Sequence, residues 1–151
     1  MRKLTLAEAE TIIDAALARG RELELGKLSV VVLDDGGHPI AMKREDGSEF
    51  LRPQIALAKA WGALGMGLPS RLLHERAQKL PVFVGALSDM SGGRVVALPG
   101  GVIVRDENGG VMGAVGVSGD LAGPDEVCAV AGIGAAGLAA DIGDNPEWRR
   151  P

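Results

Sequence analysis

The apolar positions of the chain first follow a helical period. Leu6, Ala9, Ile12, Ile13, Ala16 and Leu17 recur at that spacing behind Thr5-Leu6-Ala7-Glu8, which has the form of a capping box, so an amphipathic helix is predicted to start there. After Gly20 and Gly26 the period changes. Leu28 to Leu33 is apolar and β-branched, Asp34-Asp35-Gly36-Gly37 breaks it, and His38 to Lys43 resumes an extended pattern, which predicts a hairpin. Glu45-Asp46-Gly47-Ser48 is a further breaker. Behind Arg52-Pro53, Ile55 to Leu64 reads as a helix that Gly65 and Gly67 end. Ser70 can cap a shorter helix running to about Lys79, stopped by Pro81, with a Gly/Ser-rich loop through Ser91-Gly92-Gly93 after it. Arg94 to Leu98, Val102 to Arg105 and Val111 to Val117 are three short β-type runs separated by turn residues, the pattern of an antiparallel meander. Pro124, Asp125 and Glu126 suit the positive end of a last helix, expected to reach about Ala140.

The predicted order is α-β-β-α-α-β-β-β-α, which indicates an α+β fold: an antiparallel β-sheet flanked by helices, in one domain over residues 1–140 with a tail over 141–151. A chain of 151 residues can bury a full core without staples. With four aromatic residues, no Tyr and 23 Gly, that core must be built from Ala, Val, Leu and Ile packed against closely approaching backbone. A net charge of -4, without a longer basic cluster than Arg149-Arg150, argues against nucleic acid as a partner. No apolar run has membrane length and no signal-like stretch opens the chain, so the expected compartment is the cytoplasm and no membrane partner is expected.

Several motifs carry potential chemistry. Gly132-Ile133-Gly134-Ala135-Ala136-Gly137 is a literal G-x-G-x-x-G, but it lacks a preceding strand, and the 14 residues after Gly137 cannot complete a βαβ unit. It reads better as a small-residue helix face lying close on the sheet or on another subunit. Cys128 is the single cysteine and is expected to pack in the core. His38 follows a Gly-Gly turn, where an imidazole is either an exposed turn residue or a group placed to ligate iron or move a proton. His74 lies on a charged helix and reads as surface. Lys59, set among Leu57, Ala58, Ala60 and Trp61, either snorkels to solvent or points into an anion-binding pocket. Asp125 and Glu126 are explained by the helix macrodipole, while a pocket opening there would give Glu126 the position of a base.

Several segments together resemble the GlcG/HbpS-like family, to which the C-terminal domain of PduO-type cobalamin adenosyltransferases also belongs. The segments are Leu4 to Glu10, Val31 to His38, Ile55 to Ala60, Pro99 to Asp106, Gly113 to Gly119, and Asp125-Glu126. The resemblance implies a profilin-like or Roadblock-like sheet, assembly into homodimers and commonly octamers, and, in some members, binding of haem or a related tetrapyrrole. It makes His38 the candidate haem-iron ligand. It also places Lys59, Gly100, Gly101, Ser118 and Glu126 in the lining of a recurrent pocket, where the Gly100 and Gly101 amides are available to an anion. The expectation is therefore a small-ligand-binding oligomer in which Lys59 or Arg44 pairs the propionates. The alternatives are an enzyme acting on a small carboxylate or hydroxy acid, with Lys59 and Glu126 as catalytic groups, Lys59 and the Gly100 and Gly101 amides holding the anion and Glu126 or His38 transferring the proton, and a structural module assembled through the glycine-rich last helix. The segment 141–151, with Trp148, extends past the match and is a candidate subunit-contact arm.

Overall fold

Both faces of the strands are apolar, and this decides the architecture. In β1 (Ser29–Asp34), Val30 and Val32 point to one face while Val31 and Leu33 point to the other, and all four are buried. A sheet with two apolar faces must be covered twice. Helices α1 (Leu6–Glu22) and α5 (Ala122–Ala135) cover the first face, packing Ile12, Ile13, Ala16, Cys128, Ala129 and Ile133 on the valines. Helix α2 (Arg52–Met66) covers the second, with Ala56 and Ala60 against Val31, Leu33 and Ala114. The structure, a computed structural model, describes residues 2–148; Arg149, Arg150 and Pro151 of the expected tail lie outside the described residues, as does Met1.

The sheet has five strands, all antiparallel: β2 (Pro39–Arg44), β1, β4 (Val111–Ser118), β3 (Gly101–Arg105) and β5 (Ala139–Asp141), in that spatial order. The α+β class, the β1–β2 hairpin and the capping box hold, the last with Thr5 Oγ1 accepting from the Glu8 amide while the Glu8 carboxylate accepts from the Thr5 amide.

Three expectations do not hold. Pro81 does not open a loop. Helix α3 (Ser70–Lys79) ends at Leu80, and Pro81 takes the first position of α4 (Pro81–Met90), where its missing N–H costs nothing. Arg94 to Leu98 is not a strand, because β4 and β5 already flank β3; the stretch runs irregularly beside α2, with buried Val95 against Gly62. The last helix does not reach Ala140: Gly137 turns the chain at φ 73°, and residues 139–141 pair with β3 as β5.

The glycine-rich face of α5 is used inside the chain. A Cβ on Gly132 would run into the Ile12 carbonyl oxygen of α1, whereas one on Gly134 would meet nothing within 4 Å. Gly132→Ala is therefore expected to lower stability by roughly 1–3 kcal/mol, and Gly134→Ala to raise it by up to about 1 kcal/mol. Urea unfolding checks the pair: the two midpoints should move in opposite directions.

Candidate functional site

Helix α2 brings most of the candidate residues together at one end of the sheet. It lies flat because Gly116 of β4 has no side chain; a Cβ there would collide with the Ala56 carbonyl. This close approach carries Lys59 over Gly100 and Gly101, where added Cβ atoms would meet Lys59 itself, and Gly100 adopts a φ of 120°. The glycine pair is thus required by the passage of Lys59.

The Lys59 ammonium neither snorkels nor waits for an anion. Buried to 2% exposure, it donates to the Val117 carbonyl at 3.0 Å and to Asp125 Oδ2 at 3.1 Å. Asp125, fully buried in the first turn of α5, also accepts from the Asp120 amide at 3.0 Å. Burial pushes the Lys59 pKa down against the attraction of Asp125, and pushes the Asp125 pKa up against the attraction of Lys59. Desolvation therefore outweighs Coulomb attraction for both partners, as is usual for a buried pair.

The neighbouring groups are also engaged. The Glu126 carboxylate is buried and held by both Arg71 Nε, at 3.1 Å, and Arg71 Nη2. Ser70 does not cap α3 by its side chain; its Oγ instead accepts from the Gly101 amide at 2.7 Å, so that amide is not open to an anion. Ser118 is buried at the end of β4 beneath Arg52, 3.4 Å away. Cys128 is buried and free, with its thiol pushed up to about 11 chiefly by burial, which keeps it unreactive.

His38 lies at the other end of the sheet. Register places Ser29 opposite Ser118 and Asp34 opposite Gly113, so the hairpin turn stands five residues along β4 from Ser118, about 17 Å at the usual strand rise. Exposed Arg44 pairs with Ser29 and so belongs to the Ser118 end, about 20 Å from His38 along β2. Lys59 is buried and committed to Asp125, and Arg44 stands at the far end of β2 from His38. The His38 side chain is 80% exposed, with Nδ1 3.3 Å from Asp34 Oδ1. Asp34 is fixed by the amides of His38 and Gly36, each at 2.9 Å, and the His38 amide leads in holding its carboxyl below the usual range. Helix α2 reaches this end too. Trp61 lies against Gly37, and the Arg94 guanidinium lies 4.2 Å over the Trp61 ring.

His74 is half-buried, with Nδ1 3.1 Å from the Ala97 carbonyl, and is not the surface residue expected. Trp148 folds back on its own chain, its ring against Arg105 and Gly109, and Arg105 pairs with Asp141 of β5 at 2.8 Å. A cleft of about 450 Å³ beside Trp148 brings Leu72, Glu75 and Arg76 together, none of which sequence reasoning singled out. Sequence reasoning also missed Trp61, Arg71, Arg94 and the role of Asp125 as partner of Lys59. The Arg-Trp pair had a faint signal in the chain's scarcity of aromatics; the 66-residue separation of Lys59 and Asp125 left none.

The arrangement is that of a three-layer α+β domain with paired charges at one sheet end and an open imidazole at the other. Residues 4–134 match the family described as haem degrading protein HbpS-like, and the chain belongs to this HbpS-like family. An uncharacterised 15.0 kDa protein of the dhaT-dhaS intergenic region in Citrobacter freundii is 32% identical over 126 residues, covering 83% of this chain and 87% of its own. A double mutant of Streptomyces reticuli HbpS is 28% identical with a TM-score of 0.76, covering 89% of this chain and 87% of that one. A PduOC:haem complex shares the fold at 23% identity and a TM-score of 0.80, covering 91% of this chain and 98% of that one. Among the described residues no helix is long and apolar enough to cross a membrane.

The buried pair makes a prediction of its own. Lys59→Met leaves Asp125 buried without its cation and should cost roughly 3–5 kcal/mol. Adding Asp125→Asn, which keeps an oxygen for the Asp120 amide, should recover most of that loss. Denaturant midpoints of the two single variants and the double variant measure the coupling.

Proposed function

We propose that this chain binds haem or a closely related tetrapyrrole, and that His38 is the residue that would hold its metal. The observation that carries this reading is the state of the imidazole. The exposed ring has Nδ1 3.3 Å from Asp34 Oδ1, so a proton held on that side would leave Nε2 as the free donor. A carboxylate behind a ligating histidine raises its basicity and fixes the ring orientation. One imidazole suffices for a metal already held in a macrocycle, whereas among the described residues no group of three or more His, Cys, Asp or Glu is placed for a bare ion. Membership of the HbpS-like family and the haem in the PduOC complex support the same ligand class. When bound, the group would supply the iron chemistry; this chain's residues supply one donor, its orientation and the surface beneath the ring.

The pairing of Lys59 with Asp125, Glu126 with Arg71 and the Gly101 amide with Ser70 weighs against proton transfer on a small carboxylate at that end. Haem titration of the purified protein followed by absorbance tests the proposal. A saturable Soret band at one or one-half equivalent per chain is expected, lost or shifted in His38→Ala. A nonsaturating titration identical in both proteins would overturn it.

We infer also that the working form is a homo-oligomer. Helix α4 packs on α3 and buries Val84, yet it and its entry residue expose Leu80, Val82, Phe83 and Met90, with Val82 86% and Met90 80% exposed. Large apolar side chains clustered in this way suit a subunit contact better than solvent. Val82→Glu with Phe83→Glu should shift sedimentation of the native assembly toward smaller species without loss of helix signal; an unchanged sedimentation profile would exclude α4 from the contact.

A further inference from the structure

At the His38 end, three features of different chemistry meet around one indole. Trp61 borders the turn that carries His38: a Cβ on Gly37 would lie 3.1 Å from its pyrrole edge, one residue before the imidazole. Its ring is covered on one side by Arg94, whose carbon Cζ stands 4.2 Å from the ring centroid and whose Nε is tied to the Ser91 carbonyl at 2.7 Å. That bond fixes the guanidinium while leaving its terminal nitrogens without a carboxylate partner among the described residues. Trp61 also borders a cavity of about 110 Å³ between α2 and α4, lined by Leu87, Met90, Ser91 and Val95 and almost wholly apolar. Gly62 and Gly65 contribute to its floor because they have no side chains.

We propose that Trp61, Arg94 and this cavity form the seat of the tetrapyrrole ligated by His38, with Arg94 taking its propionates and the cavity an apolar ring substituent. This rests on the His38 reading and specifies how the ligand lies. The charges set the orientation. The hairpin turn carries Asp34 and Asp35, and although Lys3 pairs with Asp35 at 2.7 Å, this side repels carboxylates. Arg94, beyond the indole, is the cation that attracts them, and its planar fork suits a carboxylate better than an ammonium does. The indole presents an aromatic surface to the macrocycle edge. Arg94 thus takes the place that sequence reasoning assigned to Lys59 or Arg44, which stand at the opposite end of the sheet.

The test separates this seat from the His38 ligation. Iron(III) protoporphyrin IX and its dimethyl ester, which lacks the propionate charges, are each titrated into wild type, Arg94→Gln, Arg94→Lys and His38→Ala. Arg94→Gln should weaken haem binding by at least about tenfold, the worth of one charge-assisted contact, with an unchanged Soret position. It should bind the ester as wild type does, and Arg94→Lys should recover part of the haem affinity. Equal haem affinity in wild type and Arg94→Gln, with binding still lost in His38→Ala, would overturn the seat and leave the ligation standing. Equal losses for haem and ester in Arg94→Gln would also overturn the propionate assignment. Absence of binding in wild type would remove both.

Discussion

The buried contact between Lys59 and Asp125 is the constraint around which the rest of the structure is arranged. It ties α2, on one face of the sheet, to the first turn of α5, on the other, across the sheet's end. Two charges removed from water cost several kcal/mol each before their attraction is counted, and both pKa directions show that burial dominates here. What the pair fixes is how α2 and α5 meet across the sheet's end. Lys59 reaches Asp125 with α2 lying against Gly116 and passing over Gly100 and Gly101, so a consecutive pair of glycines and a third 15 residues on accommodate one lysine. The Ser70 hydroxyl, bonded to the Gly101 amide, and Arg71, bonded to Glu126, extend the same lock into α3.

This lock gives the two ends of the sheet different characters. At the Ser118 end Lys59 is paired with Asp125, Glu126 with Arg71, and Ser118 lies beneath Arg52. At the hairpin end, His38 and Arg94 stand open beside an indole, and the apolar face of α4 is uncovered. The same helix makes both ends: Lys59 and Trp61 are two residues apart on α2, one turned into the lock and the other toward the hairpin. The position of Trp61 under Arg94 depends, through α2, on the seating of Lys59.

Much of the fold could be read from local pattern. The capping box at Thr5, the β-branched run before Asp34 and the Val102–Arg105 and Val111–Val117 runs each announce an element by composition and period. The misreadings have non-local causes. Arg94–Leu98 has strand composition, but the places beside β3 are occupied by β4 and by β5, a three-residue strand too short to leave a periodic signal. Pro81 is equally a stop and a start, and the residues around it do not say which. The exposure of His38 was legible because a histidine just after a Gly-Gly turn stands at the tip of a hairpin. The fate of Lys59 was not, because a lysine among alanines has the same sequence whether it faces solvent, an anion or a buried aspartate 66 residues away. The residues that family resemblance grouped, Lys59, Gly100, Gly101, Ser118 and Glu126, lie near one another at one end of the sheet, and the register of β1 on β4 puts the His38 turn at the other.

A crystal structure of the protein grown with iron(III) protoporphyrin IX decides where the ligand sits. The metal should lie over His38 Nε2 at the hairpin end, with the macrocycle edge on Trp61 and a propionate at Arg94. Haem seated at the Lys59–Ser118 end, or at the hairpin end with His38 turned away from the metal, would contradict it.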